Sequence, residues 1–235
     1  MPSLKQLLFP HHTEAKFRRL QKSFESYAYD QKFDWDNKAI NYNRIALTNL
    51  LVSKFENCSY LEIGCNTNVL FDSLPISNKT GVDPFIGGNV RLTSDDFFLS
   101  NKNKFDVIFI DGLHTYEQVR RDIVNSMKVL KPGGWIAIDD MLPRNWIEQH
   151  VPCISPNNWT GDVWKVAFEL INTAGIDFKI FKIDLGVGAF RVNGNDVKLA
   201  NLENFLSDKK FSYLYENISM LPITDWHHGQ DWLRN

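Results

Sequence analysis

The stretch FDVIFIDGLHTYEQVRRDI, Phe105 to Ile123, ends an apolar run on Asp111 and places His114 three residues later. A second such run, KPGGWIAIDD, closes on Asp139 and Asp140. Apolar runs that stop on carboxylates read as buried strands with ionisable groups at their ends. There they can work as an acid or base, hold a cation or orient a polar ligand. His114 is the side chain that needs least tuning to accept a proton near neutral pH, and Asp111 and His114 are therefore the candidate catalytic pair. A helix-start histidine bonded locally is the plainer alternative. For Asp139 and Asp140 the plainer alternative is that one of them orients the following loop through Arg144.

The elements that must carry these residues alternate. YLEIG, KTGVDP, FDVIFID and KPGGWIAIDD read as short buried strands, the last fed by a Gly-Gly turn. A helix is expected behind the third, within GLHTYEQVRRDIVNSMKVL, and another from about Asp162 to Ala174. DFKIFKID and GVGAFRV lie too close together for a crossover, so they form an antiparallel hairpin. Two helices precede the first strand. One runs from Thr13, its N-cap, to about Tyr29, and the other from about Asn37 to Phe55. Strands alternating with helices and closed by a hairpin imply an α/β, Rossmann-like doubly wound sheet with helices on both faces. Ligands on such sheets bind beyond the carboxyl ends of the strands. Glu62, Asp83, Asp111, Asp139 and Asp140 all fall at such ends.

The first turn, EIGCNTN, holds one glycine, Gly64, where a dinucleotide fingerprint needs three. A ligand without phosphates makes no such demand, and Asn tolerates left-handed backbone. S-adenosylmethionine is such a ligand. It needs a turn for its amino-acid end, assigned to Glu62, Gly64, Cys65 and Asn66. It also needs a carboxylate for two hydrogen bonds to the ribose, assigned to Asp83, and acceptors for the adenine, assigned to Ser94 and Asp95 in TSDDFF. Asp111 is expected to face this cofactor or a metal.

From about Tyr60 to Val192 the chain resembles the class I S-adenosylmethionine-dependent methyltransferases. It is most similar to the small O-methyltransferase-like branch linked to sugar and glycan modification. YLEIG, KTGVDP, TSDDFF, DGLHTYEQV, LKPGGWIAIDDMLP and GDVWK carry the resemblance. EIGCNTN departs from the commoner E-x-G-x-x-x-G. The resemblance implies a seven-stranded sheet of order 3-2-1-4-5-7-6. Similarity to the catechol O-methyltransferase group implies a magnesium-binding set at Asp111, Asp139 and Asp140, with Asp140 in place of the usual asparagine. The implied function is methyl transfer to a hydroxyl of a sugar, glycan or other small molecule, assisted by Mg²⁺, another divalent cation or a histidine base.

Composition limits the alternatives. A net charge of -2 argues against nucleic acid as a partner. No apolar run approaches membrane length, and three scattered cysteines indicate neither a zinc site nor a disulfide framework. A cytoplasmic protein is expected. Asp162 reads as the N-cap of its own helix, the alternative being a substrate-side wall with Trp159 and Trp164; Arg44 reads as a surface residue, the alternative being a contact to an acidic group of the substrate. The tail WHHGQDWLRN reads as a docked terminus or a subunit contact within a homo-oligomer, and His11 and His12 as solvated. The expected organisation is an N-terminal helical extension or lid over 1–56, a methyltransferase core over 57–195 and a C-terminal helical tail over 196–235. A nicotinamide-dependent oxidoreductase and a catalytically silent binding protein are the competing readings.

Overall fold

The computed structural model describes residues 14–35 and 41–234. Seven strands form one sheet: β1 (Tyr60–Ile63), β2 (Lys79–Val82), β3 (Phe105–Ile110), β4 (Leu130–Ile138), β5 (Ile176–Phe181), β6 (Val187–Val192) and β7 (Ile223–Thr224). Their order is β2-β1-β3-β4-β6-β5-β7. β1, β2, β3 and β4 run parallel, and β6 is antiparallel to both β4 and β5.

Alternate residues of the central strands enter two different cores, as a period of two requires when both faces are covered. Ile108, Ile110, Ile136 and Ile138 pack on one face with Tyr116, Val119 and Ile123. Val107, Phe109, Trp135 and Ala137 pack on the other with Leu47, Leu51, Trp226 and Leu233. The first group belongs with helix α5 (Tyr116–Val129), the second with α2 (Arg44–Val52) and α9 (Trp226–Arg234). The remaining helices are α1 (Glu14–Ser23), α3 (Val69–Ser73), α4 (Ser94–Ser100), α6 (Lys165–Ile171), α7 (Glu203–Leu206) and α8 (Phe211–Asn217). This is the expected Rossmann-like doubly wound architecture.

The strand order needs one correction. The edge strand expected outside β2 contracts to a single bridge between Val82 and Val90. Gly87 and Gly88 there take positive φ, and the Asp83 carboxylate accepts the N–H groups of Phe85 and Ile86, curling the chain back on itself. The seventh strand comes from the other side, where β7 pairs in parallel with β5. The segment after residue 195 is thus not purely helical, since it completes the sheet.

Other boundaries also shift. The Gly-Gly stretch lies inside β4, where the register with β3 slips between Phe105 and Val107, and does not precede the strand. α2 starts at Arg44 because the Asn43 side chain accepts the N–H groups of Ile45 and Ala46 at 3.1 and 3.2 Å. The expected N-cap Thr13, both histidines His11 and His12, and residues 36–40 lie outside the described residues. α1 ends at Ser23 and passes through a 3-10 turn, Glu25–Tyr27.

Candidate functional site

The site lies at the carboxyl ends of β1, β3 and β4. Gly64 leaves β1 with φ +86°, and a Cβ there would lie 2.0 Å from the Asp111 carbonyl oxygen. Only glycine lets the first turn press against the end of β3. Asn66 and Asn68 follow in left-handed conformations, φ 46° and 62°, consistent with the tolerance expected of asparagine.

Asp83 ties this turn to the next. Its Oδ2 accepts the Asn66 N–H at 2.9 Å, and its Oδ1 accepts from Phe85 and Ile86 at 2.8 and 3.0 Å. A carboxylate offers about four acceptor positions, so these three bonds do not exhaust Asp83, and Arg91 Nη1 lies 3.9 Å from its Oδ1. Ser94 Oγ and Asp95 Oδ1 both meet the Gln118 side-chain amide, which also reaches Asp122. Glu62 is buried and accepts the Tyr60 hydroxyl at 2.6 Å. Burial, with Asp111 adding to it against the pull of Tyr60, raises its carboxyl to about 7. Cys65 is buried too, and burial pushes its thiol far up, which makes it inert at neutral pH.

His114 is the centre of the rim. Its Nδ1 lies 2.9 Å from Asp140 Oδ2 and 2.9 Å from the Trp159 carbonyl oxygen, while Nε2 lies 3.3 Å from Asp111 Oδ1. Two acceptors at Nδ1 place a proton there. Burial disfavours the imidazolium, but the Asp140 and Asp111 carboxylates outweigh it and hold the ring well above the usual histidine range. The Trp159 ring stacks on the imidazole with centroids 5.3 Å apart. Asp140 reaches this position through a left-handed backbone, φ 66°. One ligand atom from each of Asp111, His114 and Asp140 lies within 4.8 Å of the others.

Asp139 is not part of that group. Its Oδ1 accepts the Asp140 N–H at 2.9 Å, and its Oδ2 lies 3.4 Å from Arg44 Nη1. Of the three aspartates expected to bind a metal, two face a common point, and His114 stands where the third was expected. Arg44 is a half-buried part of the site and not a surface residue, because Asp139 and Asp184 bracket it. Arg144 pairs with Glu148 and leaves both aspartates alone.

The loop before α6 behaves differently from its sequence reading. Asp162 Oδ1 accepts the N–H of Tyr116 at 2.7 Å, so it caps α5, the helix that follows His114. Its other oxygen pairs with Lys165 Nζ at 3.0 Å. α6 begins only at Lys165, with no side-chain cap. Trp164 is fully buried and donates to Gln149, so of the two expected wall residues only Trp159 lies at the site. The tail docks as one of its two expected readings had it. Trp226 stacks on Tyr42, and Trp232 Nε1 donates to Asp177 at 2.8 Å. The roles of Asp184 and of the Trp159 carbonyl had no sequence signal, since each depends on where a loop returns.

Residues 71–141 match the family model described as a methyltransferase domain. That stretch runs from α3 past Asp140 and holds Asp83, Ser94, Asp111, His114 and Asp139. An uncharacterized protein of Acanthamoeba polyphaga mimivirus is 26% identical over 137 aligned residues, 45% of this chain and 62% of that relative. The match thus spans less than two thirds of the relative's length. Among solved structures, a candidate caffeoyl-CoA O-methyltransferase of Staphylococcus aureus aligns with a TM-score of 0.50. It is 17% identical and covers 81% of this chain and 97% of its own. The likeness shows a shared fold. A Podospora anserina methyltransferase bound to S-adenosylhomocysteine aligns with a TM-score of 0.46 at 13% identity, over 77% of this chain and 97% of its own. Among the described residues no helix is long and apolar enough to cross a membrane.

Proposed function

We propose that the chain is an S-adenosylmethionine-dependent methyltransferase acting on a hydroxyl of a sugar or other small molecule. The observation that carries this reading is His114, fixed between Asp111 and Asp140 beside the Gly64 turn. The match to the methyltransferase-domain model over this same stretch supports it. The first turn fits a cofactor without phosphates, having Gly64 alone and asparagines at its other left-handed positions. Bound there, S-adenosylmethionine would supply a methyl group carried on a sulfonium.

The protein's own task is alignment and removal of the hydroxyl proton. Nδ1–H is held by Asp140 and the Trp159 carbonyl, and Nε2 faces Asp111 Oδ1 at 3.3 Å, so Asp111 must yield this nitrogen to the acceptor hydroxyl for it to exchange a proton at the rim. This is the arrangement by which a carboxylate orients a histidine base. Because the two aspartates raise the ring's pKa, the neutral base form gains population only above the usual histidine range. Turnover should therefore rise on the alkaline side of pH 6.5. Trp159 offers an aromatic face beside the base for a sugar or aromatic acceptor.

A second reading has its own observation. Asp111, His114 and Asp140 converge closely enough to hold a divalent ion, and two carboxylate oxygens with one imidazole suit Mn²⁺ or another transition-metal ion better than Mg²⁺. Such an ion would lower the acceptor hydroxyl's pKa.

Calorimetry with S-adenosylmethionine and NAD, followed by an acceptor screen read by mass spectrometry, tests the proposal. S-adenosylmethionine should bind at least about tenfold more tightly, a difference of ~1.4 kcal/mol; equal NAD affinity would remove the reading. In active samples, excess chelator separates the two schemes. Activity that survives it assigns the proton to His114, and His114→Ala should then cost roughly 10²–10⁴ in rate with cofactor affinity unchanged. Activity abolished by chelator and restored by an added divalent cation, Mn²⁺ or Mg²⁺, assigns it to the ion.

A further inference from the structure

Arg44 touches neither His114 nor Asp111, yet an unbroken chain of contacts joins it to the imidazole. Its Nη1 lies 3.4 Å from Asp139 Oδ2. The other oxygen of Asp139 accepts the backbone N–H of Asp140 at 2.9 Å. Asp140 holds φ at 66°, a conformation that costs any residue with a Cβ. That conformation aims its Oδ2 at His114 Nδ1, 2.9 Å away. We propose that Arg44 is a positioning residue for the reaction, acting through Asp139 to hold the Asp140 backbone and hence the orientation of His114. The proposal rests on the methyltransferase reading of this site.

The chain needs a cation at its far end. Asp139 is 95% shielded from solvent and shares the rim with Asp111 and Asp140. Three carboxylates this close repel one another. Without Arg44 opposite it, Asp139 loses the cation that offsets its burial and the two neighbouring carboxylates, and its hold on the Asp140 N–H weakens. The neighbouring N–H groups of Asp139 and Met141 keep their own partners, the Ile110 and Gly186 carbonyls, so what is lost is the bond at Asp140 itself.

Arg44 is well fixed for the task. Its own N–H donates to Asp184 Oδ2 at 2.7 Å, and its guanidinium lies 4.0 Å from the same oxygen. Asp184 stands in the connection between β5 and β6, and Asn43 caps the first turn of α2. A helix outside the family match is thereby joined to the reaction centre. The simpler possibility is an ion pair that only stabilises the fold. That possibility predicts a lower melting temperature and nothing more.

The test combines ¹⁵N-histidine NMR of the ligand-free protein in chelator with steady-state kinetics. Wild type should show a protected Nδ1–H signal from His114. Arg44→Met keeps the aliphatic stem and removes the charge. It should broaden or lose that signal and lower kcat about 10–100-fold, the usual effect of removing a residue that orients a ligand. KM for S-adenosylmethionine should stay near wild type, and Arg44→Lys should recover part of the loss. An intact His114 signal in folded Arg44→Met would overturn the proposal, whatever happens to turnover.

Should Arg44→Met fail to fold, Asp139→Asn carries the test. Once Asp139 is neutral, adding Arg44→Lys should cost nothing further in the His114 signal; independent, additive losses would overturn the relay. The NMR arm requires no turnover. An inactive wild type with a normal relay would therefore count against the methyltransferase reading and leave the contact chain standing.

Discussion

Glu62 shows how a single side chain at the rim ties stability to pH. It is 2% exposed, on the strand that leads into the Gly64 turn. Burial is the largest cause of its raised pKa, about 7 against an ordinary 4.5. A folded-state pKa above the unfolded one means the native state favours the protonated form. Stability from this group is then complete below pH 4.5 and lost as pH rises through 7. That gap corresponds to ~3 kcal/mol above neutrality. Glu62→Gln keeps an acceptor for the Tyr60 hydroxyl and removes the titration. Denaturant melts should give similar stabilities at pH 4.5 and a variant more stable by ~3 kcal/mol at pH 8. Parallel stability curves for the two proteins would show that Glu62 is not buried as a charge. The same carboxylate stands beside the proposed amino-acid end of the cofactor, so its retention at such a cost fits a binding role better than a packing role.

At the scale of elements, strands were easier to read than loops. Phe105–Ile110 and Trp135–Ile138 are nearly all apolar because each is covered on both faces, and that pattern needs no tertiary knowledge. The carboxylates at their ends were visible for the same reason. The loop from Trp159 to Asp162 was not, because its partners lie some 45 residues away on the turn of His114. Asp162 has the right chemistry for a cap, but which helix it caps depends on where the loop returns. Gly161 makes the same point. It has φ +58°, and a Cβ would lie 1.6 Å from the His114 carbonyl oxygen. Gly161→Ala must move one backbone against another besides adopting a left-handed conformation, itself worth ~1–2 kcal/mol. The variant should lose at least that much stability by denaturant titration, and the His114–Trp159 stacking should be displaced in its structure. A variant as stable as wild type, with His114 unmoved, would mean that the loop has slack and does not clamp the histidine.

At the scale of the whole molecule, the proposed division into extension, core and tail has physical consequences. The sequence suggested a boundary near residue 195 because strand and helix alternation ends there. Hydrophobic packing does not. Leu206, Phe211, Leu214 and Leu221 join the core on one face of the sheet, and Trp226 and Leu233 join the other. β7 covers the edge of β5, and Lys165, buried at the start of α6, donates to the Ser207 carbonyl at 2.9 Å. Alternation could not reveal this, because β7 is two residues long and its register is set by β5. The N-terminal segment packs in a similar way at its own end. Phe33 N–H donates to the Arg144 carbonyl at 2.8 Å, and the Phe33 ring meets Phe211 and Tyr215 of α8. Extension and tail therefore support each other as well as the sheet. Each large apolar side chain taken from water contributes roughly 1.5–3 kcal/mol, and a domain of this kind has only ~5–15 kcal/mol in hand. A chain ending at residue 195 loses six such side chains and exposes one edge of the sheet. It should show no cooperative thermal transition by circular dichroism, and it should aggregate through the uncovered β5 edge. A truncated protein that melts cooperatively within a few degrees of the full chain would make the tail an independent appendage after all.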